Sequence, residues 1–237
     1  MAQNGLVGIT NNDLGAVVLG NSQFRDELLV FGGAGTVVKG TLLARQEVNT
    51  AIVVTPNVGN TGNGTATASV VGVTELPIAG SYNLECTFAV VNGGVFKLVD
   101  PNGNLVASNL TLRVGAGLVT TFTEGGLSIA VTEGATDFIA GDKFALAVVA
   151  NGKLVPFAIG GAAGAGVPNH VLTYDVVAAG AGNEPIRAMI AGEVRKERLI
   201  IHADGTGVNI TSAILDQLRA AGIVSIDVEE LNIQDNQ

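Results

Sequence analysis

The chain has 237 residues, 47% of them hydrophobic and only 14% charged, with a formal net charge of −9. That balance argues against free nucleic acid as a partner, because phosphate binding needs a concentrated basic surface. A single cysteine excludes an intramolecular disulfide, and no uninterrupted apolar run reaches the length of a membrane span.

The 33 glycines, the lack of Trp and the frequent Val and Thr describe turn-rich β structure more than helix. The length allows one large β domain or two ordinary ones. A surface so poor in charge also suits a subunit that ends packed against other proteins.

Residues 1–23 show scattered Asn and Gly with two short apolar pieces, Leu6-Val7 and Ala16-Val17-Val18-Leu19. This pattern reads as an arm that orders on something else. The first residues lack a basic segment followed by an apolar core, so the expectation is a chain made and folded in a cytoplasm. Leu28-Leu29-Val30-Phe31 then leads into Gly32-Gly33-Ala34-Gly35. A phosphate-cradling reading fails on context, since β-forming Thr36-Val37-Val38-Lys39 follows where a helix would have to start. Two strands are expected at 36–43 and 47–55, and residues 57–63 (NVGNTGN) read as a flexible junction.

Residues 64–150 are the plainest part of the chain. Tyr82, Leu84, Cys86, Phe88 and Val90 recur at a spacing of two, which marks a half-buried strand. Leu110-Leu112-Val114, Leu127-Ile129-Val131 and Phe144-Leu146-Val148 repeat the pattern, separated by Asn92-Gly93-Gly94, Asp100-Pro101-Asn102-Gly103, Glu124-Gly125-Gly126 and Ala140-Gly141-Asp142. Roughly seven short strands in about ninety residues predict an Ig-like β-sandwich. Its expected core comprises Tyr82, Leu84, Phe88, Leu112, Ile129, Phe144 and Leu146, with Cys86 on the buried face as a small hydrophobe. Residues 159–166 (IGGAAGAG) read as a second junction, which makes the sandwich (61–150) an insertion into a host domain formed by 24–60 and 151–237.

Late in the chain, Arg187, Arg195, Lys196 and Arg198 are interleaved with Glu193 and Glu197, as on a solvated strand face with local ion pairs. One short helix is expected: Thr211 or Asn209 caps it, Ile214, Leu215, Leu218 and Ala221 form its stripe, and Gly222 stops it. Val224, Ile226 and Val228 then alternate with polar residues in a final strand.

The chemistry-bearing residues do not assemble into a catalytic motif. His170, expected in an exposed loop, and His202, at a strand end, lie far from each other and from Cys86, without metal-ligand spacing. No Gly-x-Ser-x-Gly elbow occurs. Asp100, Asn102 and Asn104 resemble the start of a calcium loop, but Thr111 stands where a bidentate Glu is required, and a β-turn is favoured. Asp137 and Asp142 read as turn residues ahead of a glycosidase pair. The expectation is a protein without enzymatic activity, cofactor or metal.

Three segments carry a resemblance to the head decoration proteins of tailed bacteriophages: Val38-Lys39-Gly40-Thr41-Leu42-Leu43, Ile190-Ala191-Gly192-Glu193-Val194 and Leu218-Arg219-Ala220-Ala221-Gly222-Ile223-Val224. The central GNGT opening, DPNG turn and TDFIAGDKF close resemble an extra β module of some phage structural proteins. The resemblance implies a split decoration-type β domain with one short C-terminal helix, plus the inserted sandwich. It implies a structural virion protein that binds the outside of the expanded capsid and resists internal DNA pressure, made in the host bacterial cytoplasm. The implied partners are the major capsid protein and further copies of the chain, a homotrimer ahead of a dimer, with a host-surface ligand open to the inserted domain and neither nucleic acid nor membrane. Leu6, Val7, Ile9, Val17, Val18 and Leu19 become the capsid-docking candidates, through strand addition to a capsid sheet edge. The alternative is a carbohydrate- or receptor-binding β module of a phage tail or surface protein, disfavoured by an aromatic fraction of 4%. A secreted adhesin is the third reading.

Overall fold

A computed structural model describes residues 17–73, 75–113, 115, 117–202 and 210–227. The fold is mainly β, with several sheets and one α-helix near the C-terminus among the described residues. In chain order the strands are β1 (Val18–Phe31), β2 (Gly35–Val37), β3 (Leu42–Val48), β4 (Val53–Pro56), β5 (Thr65–Val70), β6 (Gly80–Val90), β7 (Gly93–Val99) and β8 (Leu105–Leu112). There follow β9 (Val119–Glu124), β10 (Leu127–Thr132), β11 (Lys143–Val148), β12 (Ala150–Pro156), β13 (Pro168–Val171), β14 (Val176–Ala178) and β15 (Gly182–Arg195). Helix α1 (Ser212–Ala220) and β16 (Ile223–Ile226) close the order.

The chain forms two compact units. One joins Met1–Leu43 to Pro168–Gln237, and the other is the intervening Ala44–Val167. The boundaries fall at 43/44 and 167/168, outside the 60/61 and 150/151 read from the sequence. The reason is packing: Val48 and Ala163 are buried in the core of the intervening unit, and Ile52 and Val54 pack against it.

In the two-segment unit, β1 runs antiparallel to β15 along its whole length, from Val18 opposite Val194 to Phe31 opposite Gly182. Beside β15, β16 pairs in parallel, with Gly192 opposite Ile223 and Arg195 opposite Ile226. A parallel partner needs a crossover, and α1 supplies it. Thr211 is its N-cap, the Oγ1 accepting from the Ile214 N–H at 3.4 Å, while Ile214 and Leu218 are buried. Gly222 ends it at φ +93°. In the final strand Ile223 is buried and Val224 exposed, against the expected order, while Ile226 is half-buried.

The expected strand at 36–43 is broken at Gly40. Its N–H donates to Leu172 O at 2.7 Å, its carbonyl accepts from Ile200 N at 2.9 Å, and Leu42 N–H donates to Ile200 O at 2.9 Å. Gly40 sits at φ +88°, and an added Cβ would overlap the Arg198 carbonyl. Only glycine meets both conditions.

The intervening unit is a β-sandwich. One sheet has the order β4-β11-β6-β7-β8 and the other β5-β10-β9. Tyr82, Leu84, Cys86, Phe96, Leu98, Leu112, Leu127, Ile129, Val131, Phe144 and Leu146 point between them. Phe138 adds its ring from the loop after β10, edge-on to Phe96 and Phe144 at centroid distances of 5.2 and 5.8 Å.

Phe88 is not part of this core. The register slips between Cys86, opposite Phe96, and Phe88, opposite Val95, so Thr87 is the extra residue of a β-bulge. One additional residue reverses the facing of all that follows, and Phe88 is left 64% exposed with Val90 and Val91 also outward. Two segments read as junctions are instead built into the unit. Ala163 is buried, its N–H donating to Gly72 O and its carbonyl accepting from Glu47 N, at 2.9 and 2.8 Å. Residues 57–63 are pinned by the bonds described below.

Candidate functional site

Two places concentrate polar and aromatic side chains outside ordinary packing, one in each unit. In the two-segment unit the first described residue is Val17, which is buried, with its carbonyl accepting from Arg195 N at 2.8 Å. Val18 is half-buried and Leu19 exposed. Of the docking candidates, Val17, Val18 and Leu19 are thus tied to a sheet, and the Val17 side chain is taken up by the core. Leu6, Val7 and Ile9 lie outside the described residues.

Further along β1, Leu29 and Phe31 point inward while Phe24, Asp26 and Leu28 face solvent. Opposite residues of an antiparallel pair share a face, so Arg187 (opposite Asp26) and Pro185 (opposite Leu28) join that outer surface. The Arg187 guanidinium lies 5.6 Å from the Phe24 ring centroid, a cation–π arrangement. The Arg187 N–H donates to the Tyr174 hydroxyl at 2.8 Å, which fixes Tyr174 beside the patch. Phe, Tyr, Leu and a stacked Arg on a sheet face make a rigid surface of the kind that can anchor an interface. Periodicity could have found Phe24 and Leu28, since they alternate with Leu29 and Phe31, but Phe24 adjoins the stretch read as an arm.

The basic run is not a uniformly solvated face. Arg187 is exposed on this patch, and Lys196 pairs with Asp227 at 3.1 Å. Arg195 is 5% exposed, 3.8 Å from the Glu197 carboxylate, with Nε and Nη1 making no hydrogen bond. Its neighbour Val194 is buried as well, and successive strand residues point to opposite faces, so both faces of β15 are covered at this end. His170 likewise is buried, not in an exposed loop: β13 carries it inward, its Nδ1 2.6 Å from Asn169 Oδ1 and its Nε2 4.0 Å from Glu27.

In the sandwich, the polar centre is the loop of residues 133–142. Asp142 is buried and accepts from Thr61 N at 2.8 Å, Gly62 N at 2.9 Å and Ile139 N at 3.0 Å. Burial alone would raise its carboxyl, but the three amides outweigh it and hold Asp142 below the usual aspartate value. Asn60 adds a reciprocal pair with the Lys143 backbone, both bonds at 2.8 Å, and Asn63 Oδ1 accepts from Thr136 N at 2.8 Å. Asp137 accepts from Asn92 N at 3.0 Å. Asp137 and Asp142 therefore organise loops through backbone amides. Glu133, which the sequence reading passed over, is buried, and among the described residues neither of its oxygens makes a well-formed hydrogen bond.

Burial pushes the Cys86 thiol up, with Asp142 and Glu133 adding to the effect, so its nucleophilic thiolate is disfavoured. Asp100 accepts from Asn102 N and Asn104 N, both at 2.8 Å, and from the Asn104 side chain at 2.9 Å. This is a self-contained turn, and among the described residues no group of three or more His, Cys, Asp or Glu could hold a metal ion.

No family model matches the chain, and no curated protein matches it. Among solved structures, it is similar to two crystal forms of FlgL from Xanthomonas campestris, at 18% identity and TM-scores of 0.33 and 0.32. It is also similar to the flagellar junction protein FlgL from Legionella pneumophila, at 14% identity and a TM-score of 0.33. Each match covers 48% of this chain and only 34%, 33% and 37% of theirs, a partial likeness that carries no functional argument.

Proposed function

We propose that the protein is a non-enzymatic virion component that binds the outside of the expanded phage capsid, as the resemblance to head decoration proteins implies. The observation that carries this reading is the placement of the three resembling segments. All lie in the two-segment unit. The second and third are joined directly, Gly192 N–H donating to Gly222 O at 3.0 Å ahead of the parallel β15–β16 pairing. The first lies against Leu172 and Ile200 through the Gly40–Leu42 bonds. Such a unit would bring the Phe24–Arg187 patch, and the residues preceding Val17, to the capsid. The Ala44–Val167 sandwich would extend the cover. Binding confined to the expanded lattice stabilises that lattice by mass action.

The test is co-sedimentation of the purified chain with expanded heads stripped of surface proteins and with unexpanded heads. Retention on the expanded heads alone is the expected result. Failure to sediment with either, or equal retention on both, removes the reading.

A further inference from the structure

The sandwich contains a buried acid with no cation beside it among the described residues. Glu133 follows β10 directly, and both its backbone groups are tied to one neighbouring segment: the N–H donates to Leu118 O at 3.4 Å and the carbonyl accepts from Gly117 N at 3.0 Å. The residue is 2% exposed, and among the described residues neither oxygen makes a well-formed hydrogen bond, the Gly134 and Phe138 amides of its own loop lying nearby. Its titratable surroundings are acidic: Asp137 on its own loop, and Cys86 on β6, which Asp142 also influences. Among the described residues no ion pair involves Glu133. An ionised carboxylate in such a place is strongly disfavoured, whereas the neutral acid is tolerated.

The same loop closes one end of the sandwich. Phe138 plugs the core, Asp137 holds Asn92 N, and Gly141 N–H donates to Cys86 O at 2.8 Å. We propose that the Glu133 carboxyl is a proton-controlled latch, which seats residues 134–142 while it carries its proton and loosens them when it ionises. Desolvation raises this carboxyl, the nearby Phe138 and Gly134 amides offset part of that, and Asp137 adds to it. A carboxyl raised in the folded state binds a proton that the unfolded chain has released. Its support is thus complete below the ordinary glutamate value, about 4.3, and is lost as pH rises through the folded-state value.

Cys86 is the chain's single thiol and lies under the loop, so its labelling reports opening. The full-length protein and Glu133→Gln are reacted with dithiodipyridine between about pH 3.5, below the ordinary glutamate value, and about pH 8. Thiol ionisation in the opened state is common to both proteins and cancels in the ratio of their rates. The ratio of wild type to variant is expected near one at the acid end and to rise steadily with pH, because the raised carboxyl ionises first in the opened state. Each pH unit between the open-state and closed-state values of the carboxyl multiplies the open population by about ten. A ratio that is constant across the range overturns the latch. Hydrogen exchange of the wild type decides the matter independently of the variant. Protection factors at Asn92, Ile139 and Gly141 should fall as pH rises, and pH-independent protection there also overturns it.

Discussion

Two phenylalanines of the sandwich, close in type but opposite in setting, allow a sharp test of how this unit is held together. Phe138 is fully buried and touches two other rings, whereas Phe88 is turned outward by the Thr87 bulge. Truncating a fully buried Phe to Ala costs about 3–5 kcal/mol, the sum of lost transfer energy and the cavity left behind. Truncating an exposed one away from a special feature stays within about 0.5 kcal/mol. The assay is labelling of Cys86 in the full chain under conditions where reclosing outpaces reaction, so that the rate follows the open population. Cys86 belongs to the Ala44–Val167 unit and reports that unit. With about 1.4 kcal/mol for each factor of ten, Phe138→Ala should accelerate labelling by between about a hundredfold and several thousandfold. Phe88→Ala should change it by less than about threefold. Comparable acceleration by both variants would refute the bulge assignment, and little acceleration by Phe138→Ala would refute the plug.

Asp142→Asn should destabilise the sandwich by about 2 kcal/mol or more near neutrality, since hydrogen bonds to a charged acceptor are strong. The depressed carboxyl contributes above the ordinary aspartate value of about 3.9 and loses its contribution as pH falls through the folded value, so melts should converge in acid. Gly40→Ala should cost more than about 1–2 kcal/mol in the two-segment unit, because the left-handed backbone penalty is compounded by overlap with Arg198 O. Chemical denaturation followed by circular dichroism measures it. Thr211→Ala removes the acceptor for Ile214 N and should cost about 0.5–2 kcal/mol, with Thr211→Ser restoring most of it.

Local chemistry was legible in the sequence wherever it acts over a few residues. The spacing of two in Leu127-Ile129-Val131 and Phe144-Leu146-Val148 put those side chains inside, as found. Thr211 and Gly222 bounded α1, because capping and a positive φ are properties of single positions. What the tertiary structure alone decided depends on partners distant in the chain. The facing of Phe88 is set by a bulge in its pairing with β7, and the burial of His170 and Arg195 by the strands that carry them inward. Asp142 is a hub because the chain brings Thr61 and Gly62 to it, and Glu133 is a buried acid to which, among the described residues, no cation is brought. Periodicity reports which residues alternate; only pairing across the fold determines which of the two faces is covered, and by what.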